Sequence, residues 1–436
     1  MNIATLTAAA LLPAVAIAAG FESASQTVNQ TGLDLFRLVA SAEPNTNALI
    51  SPYSIQSALA MTYAGADGDT RAEMARVLHF PADDAPLAAS FKELRVGLDN
   101  AVAKSAQAIA AQEAAPRGFA RRNGAAAPVE PTSNPVQPIE WYVANRLFGQ
   151  PDYAFRSAFL DLVRDSYSAP FQTLNFKTGP EPARLFINQW VAEQTKDKII
   201  DLLPPPPPPI ITEGTRLVLV NALYLKAPWA KGFVKQMTRN QPFKVPGTTP
   251  VSVPMMSKGE QMGYAKREGY TAVTLPYLGG ELQFLILLPD DPAGVNALVA
   301  GITPENLREN ASLEIRQVAL SLPKFKLQGP SMDLAQNLQK LGLKTAFDQP
   351  LGSANFDRMA PRKPTDYLYI SAVIHKTFIN LDEEGTEAAA ATAVVMGRSG
   401  APPQSTVVRV DHPFLFAIQH RESGMCLFLG RVTDPR

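Results

Sequence analysis

Cysteine, histidine and net charge are scarce in this chain of 436 residues, and each scarcity excludes a class of protein. The single cysteine, Cys426, excludes an intramolecular disulfide framework and a cysteine-rich metal site. The four histidines lack the spacing that places two imidazoles on one helix face, so we expect no metal ion and no other cofactor. Lys and Arg number 40, as do Asp and Glu, and this balance argues against nucleic acid as a partner.

Catalytic sequence motifs are missing as well. The chain contains no G-x-S-x-G nucleophile elbow, no H-E-x-x-H zinc motif and no phosphate-binding P-loop. It also lacks paired carboxylates at a helical spacing, which would indicate acid–base catalysis. We therefore expect that the protein is not an enzyme.

Long hydrophobic runs are also missing, since no run reaches the roughly 18 apolar residues that a membrane-spanning helix needs. We therefore expect no membrane partner. Residues 1–20 are nonetheless small and apolar, and Ala16-Ile17-Ala18 resembles a signal-peptide cleavage site, although no basic residue precedes Arg37. This pattern predicts a signal peptide and a secreted or periplasmic protein. The alternative is an N-terminal extension of a cytoplasmic protein.

The distribution of apolar residues predicts an α+β fold, with helices mainly in the first third and strands mainly in the rest. Ser51-Pro52 is a typical helix start, with an N-cap serine before a proline that needs no hydrogen-bond donor. Residues 184–203 show a helical apolar pattern, and Leu217–Leu225 is apolar throughout, as in a buried central strand. Phe414–Ile418 and Cys426–Val432 flank a turn and predict an antiparallel pair.

Two segments interrupt the globular pattern. Residues 105–138 are rich in Ala and Pro and contain few large apolar side chains, which predicts a low-complexity surface insertion. Pro204–Pro209 is a run of consecutive prolines, typical of a stiff polyproline II connector. An alternative role for this run is a docking site for an aromatic-lined groove.

A proline-free stretch runs from Asp382 to Ala401, directly after a predicted strand. Extended, it would place small or uncharged side chains such as Thr386 and Ala388 along one face. No bulky or charged group on that face would block its entry into an existing sheet, and Gly385 supplies freedom to turn the chain. An exposed Ala-rich loop or a short helix is the alternative interpretation.

Motifs in a characteristic order resemble the serpin family from about residue 28 to the C-terminus. They are Asn47–Ile55, Ala58-Leu59, Gly65–Thr70, Asn145–Phe148, the residues Asn188 to Ile199, Leu219–Lys226 with Trp229, Leu322–Phe325, His375-Lys376, Glu383–Thr392, His412–Phe414 and Gly430–Val432 with Pro435. Each motif is weak alone, and their common order is what carries the resemblance.

The resemblance implies one domain, residues 28–436, with three β-sheets, about nine helices and an exposed reactive-centre loop at about 383–406. It implies a monomeric suicide inhibitor of serine proteases, in which the protease cleaves the loop and is trapped as an acyl-enzyme while the loop hinge inserts into the main sheet. The hinge residues are Glu383, Glu384, Gly385, Thr386, Glu387, Ala388, Ala389, Ala390, Ala391 and Thr392. A cluster controlling sheet opening comprises Ser54, Asn221, His375 and Trp229. A non-inhibitory serpin, acting as a carrier, chaperone or storage protein, is the alternative.

The position of the cleaved bond remains open within the resemblance. Counting along the usual hinge length from Glu383 places the bond between Ser399 and Gly400, which predicts an elastase-like protease as the partner. Moving the bond back by one residue places it after Arg398, the one basic residue of the loop, and predicts a trypsin-like or subtilisin-like partner. Met396 is a further candidate.

Overall fold

The computed structural model describes residues 12–114, 136–387 and 405–436. This part of the chain contains nine α-helices: α1 Leu12–Ala42, α2 Pro52–Gly65, α3 Gly68–Leu78, α4 Asp84–Ala114, α5 Ser157–Tyr167, α6 Pro180–Gln194, α7 Val295–Gly301, α8 Pro304–Glu309 and α9 Ala335–Lys340. Two short 3-10 helices lie at Lys235–Met237 and Thr345–Phe347.

The strands of the described residues form two hydrogen-bonded arrays. They are β1 Ala48–Ile50, β2 Glu140–Gly149, β3 Gln172–Thr173, β4 Leu217–Pro228, β5 Arg239–Phe243, β6 Val251–Arg267, β7 Tyr270–Pro276, β8 Leu282–Pro289, β9 Ile315–Pro323, β10 Phe325–Gln328, β11 Met332–Asp333, β12 Ile370–Leu381, β13 Gly385–Thr386, β14 Thr406–Arg409, β15 Phe414–His420 and β16 Cys426–Val432. The α+β prediction and the nine helices are confirmed.

One array has seven strands and runs in the order β10-β12-β13-β4-β2-β3, with β11 beside β12. The other has nine strands and runs β1-β16-β15-β8-β7-β6-β9-β14, with β5 beside β6. Strand β6 is long: residues 251–255 pair with β5 and residues 263–267 pair with β7, whereas β9 pairs with residues 255–263 along the other edge. Two of the three expected sheets are therefore continuous through β6 and β9.

The core lies between these sheets and the helices, and α2 is its most buried helix. Every residue of α2 is buried, and the Ser51 hydroxyl accepts a hydrogen bond from the Ser54 backbone at its N-terminus, as the Ser51-Pro52 pattern predicts. The predicted strand Leu217–Leu225 belongs to β4, whose side chains are buried on both faces. Because α2 packs against the middle of the seven-stranded sheet, it can bring side chains to the point where two central strands meet.

Two predicted segments differ from the structure. Residues 105–114 continue helix α4 rather than beginning a loop, and Ser105 is buried there, with its hydroxyl accepting from the Ile139 backbone. Residues 115–135 of the predicted insertion lie outside the described part. The predicted helix 184–203 ends at Gln194 as α6, and the chain then folds back so that Leu203 bonds through its backbone N–H and C=O to the Asn188 side chain. The apolar residues after Gln194 pack beneath α6, and they do not extend the helix.

The N-terminal segment is partly helical. Residues 12–20 of the predicted signal peptide belong to helix α1, whose later turns bury Ala24 and Val28 in the core. Among the helices that the structure describes, none combines the length and the apolarity needed to cross a bilayer. Pro204–Pro209 lies exposed between the buried residues Leu203 and Ile211.

Candidate functional site

The seven-stranded sheet is split at one end by a short strand. Strands β4 and β12 pair directly in parallel from Leu217 and Ile370 to Leu223 and Thr377. Beyond this point β13 lies between them, antiparallel to both: Thr386 is the partner of Leu381 on β12 and of Ala227 on β4. The predicted hinge therefore already occupies the entrance between the two central strands.

Gly385 makes the tightest contact at this entrance. Its φ is +151°, and a Cβ atom there would lie 2.2 Å from the Ala227 carbonyl oxygen and 2.7 Å from Pro228 Cα. Both neighbours are backbone atoms of β4, so they cannot rotate away as the end of a long side chain would. Only glycine allows the chain to enter the sheet at this position without displacing the strand.

Thr386 is anchored by an aromatic side chain beneath the entrance. It is 1% exposed, and its hydroxyl shares a hydrogen bond of 2.6 Å with the hydroxyl of Tyr277. The Tyr277 ring stacks on Trp229, with 4.7 Å between ring centroids, and Trp229 Nε1 donates to the Asp382 carbonyl at 3.0 Å. Burial raises the pKa of Tyr277, so its hydroxyl stays protonated and able to share this bond.

The two glutamates before the glycine are buried but paired. Glu383 is 4% exposed, and it accepts from Lys324 and from the Thr238 hydroxyl, each at 2.7 Å. Burial alone would raise the pKa of Glu383, but these hydrogen bonds outweigh it and hold the pKa below its ordinary value. Glu384 forms an ion pair with Lys235. Since buried charges are costly unless paired, these ion pairs and hydrogen bonds hold the start of the hinge in place.

Glu387 marks the end of the described hinge and contacts the segment after helix α6. Its backbone N–H donates to the Asn380 carbonyl at 2.7 Å, and its carboxylate lies 2.5 Å from Lys198 Nζ. Its φ is +49°, so Glu387 itself has a left-handed and not a strand conformation. The segment after helix α6 and the hinge are thus linked by a direct ion pair.

A buried polar cluster lies farther down, where β4 and β12 pair directly. Asn221 and His375 are cross-strand partners, and His375 Nδ1 lies 2.6 Å from Asn221 Oδ1. Asn221 Nδ2 donates to Ser54 Oγ at 2.6 Å and to Asn145 Oδ1 at 2.7 Å. The cluster therefore joins α2, β2, β4 and β12 by side-chain hydrogen bonds.

His375 is held neutral in this cluster. It is fully buried, and its Nε2 accepts from the Ser51 backbone N–H at 3.1 Å, so Nδ1 carries the proton and donates to Asn221. Burial lowers the pKa of His375 from 6.5 to about 3, against a smaller opposing effect of the hydrogen bond to Asn221. A strand that entered between β4 and β12 would separate Asn221 from His375, so the cluster must be broken or rebuilt when the sheet opens.

The structure brings Ser54, Asn221 and His375 together but places Trp229 elsewhere. Trp229 belongs to the hinge region, where its backbone N–H donates to the Glu384 carbonyl at 2.9 Å. Trp229 therefore does not belong to the hydrogen-bonded cluster of the other three residues, because it follows β4 at the end where the hinge enters; its role in sheet opening stays a prediction. The hinge residues Ala388, Ala389, Ala390, Ala391 and Thr392 and the reactive-bond candidates Met396, Arg398, Ser399 and Gly400 lie outside the described residues.

Sequence reasoning missed two polar residues of these sites. Asn145 completes the cluster: it begins the Asn145–Phe148 motif, but its place opposite Asn221 follows only from the β2–β4 register. Tyr277 anchors Thr386 from the loop after β7, and no local pattern indicates a contact across 109 positions of the chain. Both contacts arise from sheet register and packing.

Comparisons with known proteins agree with this geometry. The family model described as "Serpin (serine protease inhibitor)" matches residues 26–435. The leukocyte elastase inhibitor of Bos taurus is 35% identical over 423 residues, which cover 95% of this chain and 100% of that protein. Serpin B10 of Otolemur garnettii is 34% identical, with 94% and 99% covered.

A solved structure shows the same fold. The crystal structure of Serpin48, described as a highly specific serpin of the insect Tenebrio molitor, superposes with a TM-score of 0.75 at 28% sequence identity. The superposition covers 95% of this chain and 98% of that one. With a family model over nearly the whole chain, relatives of full length and a common fold, the chain belongs to the serpin family of serine protease inhibitors.

Proposed function

We propose that the protein inhibits serine proteases as an irreversible suicide substrate. The observation that carries this proposal is β13: Gly385–Thr386 lies as a strand between β12 and β4, while the two strands still pair directly below it. Further entry of the hinge along the same path would add a central strand to the sheet.

The chemistry of the first step belongs to the protease. Its serine attacks the carbonyl of the cleaved loop bond, and the resulting acyl-enzyme keeps the protease attached to the hinge. Cleavage frees the hinge from its connection to β14, so it can replace the direct β4–β12 contacts with two new rows of hydrogen bonds. Insertion carries the protease along the sheet before the ester is hydrolysed.

Trapping is tested by incubating the full chain with trypsin, elastase and subtilisin and examining the products on a denaturing gel. The unmodified protein is expected to form a denaturant-stable complex. Thr386→Arg would bury an unpaired guanidinium at the entrance, so insertion should stall and the variant should be cleaved without forming the complex. Val407→Arg is the matched control, because Val407 is 63% exposed on β14, on the other side of the loop.

Two results contradict this proposal. Stoichiometric trapping by Thr386→Arg would mean that the hinge does not insert at this entrance. Cleavage without a complex for every protease tested would instead favour the carrier, chaperone or storage alternative.

The proposed partner depends on the cleaved bond. Cleavage after Arg398 suits a trypsin-like or subtilisin-like protease, and cleavage after Ser399 suits an elastase-like one; the second agrees with the name of the leukocyte elastase inhibitors. The N-terminal sequence of the released fragment distinguishes them, because it begins at Ser399 or at Gly400. Arg398→Ala should abolish trypsin trapping in the first case and leave elastase trapping unchanged in the second.

We infer a cytoplasmic location in preference to secretion. The similarity to leukocyte elastase inhibitors and serpin B10 gives the predicted signal peptide no support, and residues 12–20 are continuous with helix α1. Fractionation of cells that express the full chain tests this inference. Recovery from the medium with a new N-terminus near residue 20 would contradict it.

A further inference from the structure

A group of ligand-type side chains lies at one end of the nine-stranded sheet, where β8 begins and β15 ends. It consists of Glu281, His420 and Glu422, whose oxygen and nitrogen atoms can be chosen so that all lie within 4.8 Å of one another. We propose that these three side chains bind one divalent transition-metal ion of the Zn²⁺ type. The chain positions of Glu281 and His420 are 139 apart, so spacing along the sequence cannot reveal such a site.

The sheet fixes two of the three residues relative to each other. His420 ends β15 and is the cross-strand partner of Leu282, the first residue of β8. Glu281 precedes Leu282, and its carbonyl accepts from the Arg421 backbone N–H at 2.8 Å. The third ligand, Glu422, lies exposed in the turn before β16, so its carboxylate can rotate towards the other two.

The imidazole of His420 has the orientation of a metal ligand. It is 2% exposed; its Nδ1 lies 3.0 Å from Ser423 Oγ, and its Nε2 lies 3.9 Å from Glu281 Oε2. A hydrogen bond at one ring nitrogen commonly orients the other towards a metal ion.

The donor set and the distances suit zinc. Zn²⁺ binds imidazole nitrogen and carboxylate oxygen at about 2.0–2.2 Å, which places tetrahedral ligand atoms about 3.4 Å apart. The ligand atoms lie within 4.8 Å of one another, so they must approach by up to about 1.4 Å, and the exposed side chain of Glu422 has the room to move. One imidazole with two carboxylates favours Zn²⁺, Cu²⁺ or Ni²⁺ over Mg²⁺, which prefers oxygen ligands alone. A water molecule would complete the four ligands.

Lys104 of helix α4 is an internal competitor for this site. Its ammonium lies 2.6 Å from Glu281 Oε1, so a bound cation would repel Lys104 and weaken its contact with the sheet. Removing the charge of Lys104 should therefore raise the metal affinity, whereas removing a ligand should lower it. An adventitious surface ion would show no such dependence.

Isothermal titration calorimetry of ZnCl₂ with the full chain, after removal of any histidine tag, tests this proposal. The unmodified protein should bind one ion, Glu422→Gln and Glu281→Gln should weaken binding by about tenfold or more, and Lys104→Met should strengthen it several-fold. His420→Gln should abolish binding. Because His420 is buried, the unfolding temperature of the His420→Gln variant is measured first. If this variant fails to fold, the variant at the exposed Glu422 decides the outcome. His79→Gln is the control, since His79 faces Asp34 at 3.2 Å elsewhere on the surface.

The proposal is overturned if no binding is detected up to about 1 mM Zn²⁺, or if Glu281→Gln and Glu422→Gln bind as the unmodified chain does. It is equally overturned if His79→Gln removes the binding. An MgCl₂ titration should give no heat of binding, and Mg²⁺ binding of equal strength would exclude a site that depends on the imidazole.

Discussion

Acidification is expected to open the seven-stranded sheet at His375. In the folded protein Nε2 of His375 accepts from the Ser51 backbone, and a protonated imidazole has no lone pair for that bond. The positive charge would also be buried, since His375 is fully inaccessible and its only described side-chain partner is the uncharged Asn221. Protonation therefore weakens the junction of α2, β4 and β12.

The magnitude follows from the lowered pKa. With a folded pKa of about 3 and an unfolded value of 6.5, the contribution of His375 to stability is fully present above pH 6.5. It is lost progressively as the pH falls towards 3, because the unfolded chain then binds the proton that the folded protein excludes. At pH 4 the loss amounts to about 3 kcal/mol.

Urea unfolding between pH 7 and pH 4, followed by circular dichroism, measures this loss. His375→Gln removes the titrating group and keeps a polar side chain, so its free energy of unfolding should fall about 3 kcal/mol less over this range than that of the unmodified protein. The lowered pKa of His420 affects both proteins equally and cancels in the comparison. Identical pH slopes for the two proteins would refute the reasoning.

Two substitutions test the entrance and the cluster. Gly385→Ala places a methyl group 2.2 Å from the Ala227 carbonyl, so it should keep the hinge out of the sheet and raise the number of inhibitor molecules consumed per trapped protease. The control is Gly301→Ala, whose new methyl meets no atom within 4 Å. Equal stoichiometry for both variants would show that the close contact at Gly385 does not limit hinge entry. Asn145→Ala removes the acceptor of the buried Asn221 amide and should lower the free energy of unfolding by about 1–3 kcal/mol in urea, whereas a change below about 0.5 kcal/mol would mean that the cluster does not depend on it.

The fold could be predicted largely from local pattern, because each element carries its own signal. The Ser51-Pro52 start of α2 and the apolar run of β4 follow from capping chemistry and from burial on both faces. The ends of α4 and α6 could not be predicted in this way. Helix α4 packs on α1 and α5, and its Ser105 hydroxyl accepts from the Ile139 backbone. After α6 ends, the Asn188 side chain bonds to the backbone of Leu203.

The candidate site was predictable only in part. The small residues after Gly385 indicate a segment that can enter a sheet, and the structure places Gly385–Thr386 at such an entrance; the inhibitory role of the hinge remains a prediction. Tyr277 and Asn145 could not be found, because their contacts depend on register between distant strands. The ion pair of Lys198 with Glu387 likewise joins residues that are far apart in the sequence, so no local pattern indicates it.

The stacking of Trp229 on Tyr277 gives the protein a natural optical probe. Of its three tryptophans, Trp141 and Trp190 are half-buried, whereas Trp229 is 3% exposed and hydrogen-bonded to the backbone that leads into the hinge. Departure of Thr386 from the sheet removes the hydroxyl partner of Tyr277 and loosens the stacked pair. The emission of Trp229 can therefore report whether the start of the hinge lies in the sheet or out of it, in the unmodified chain and without any attached dye.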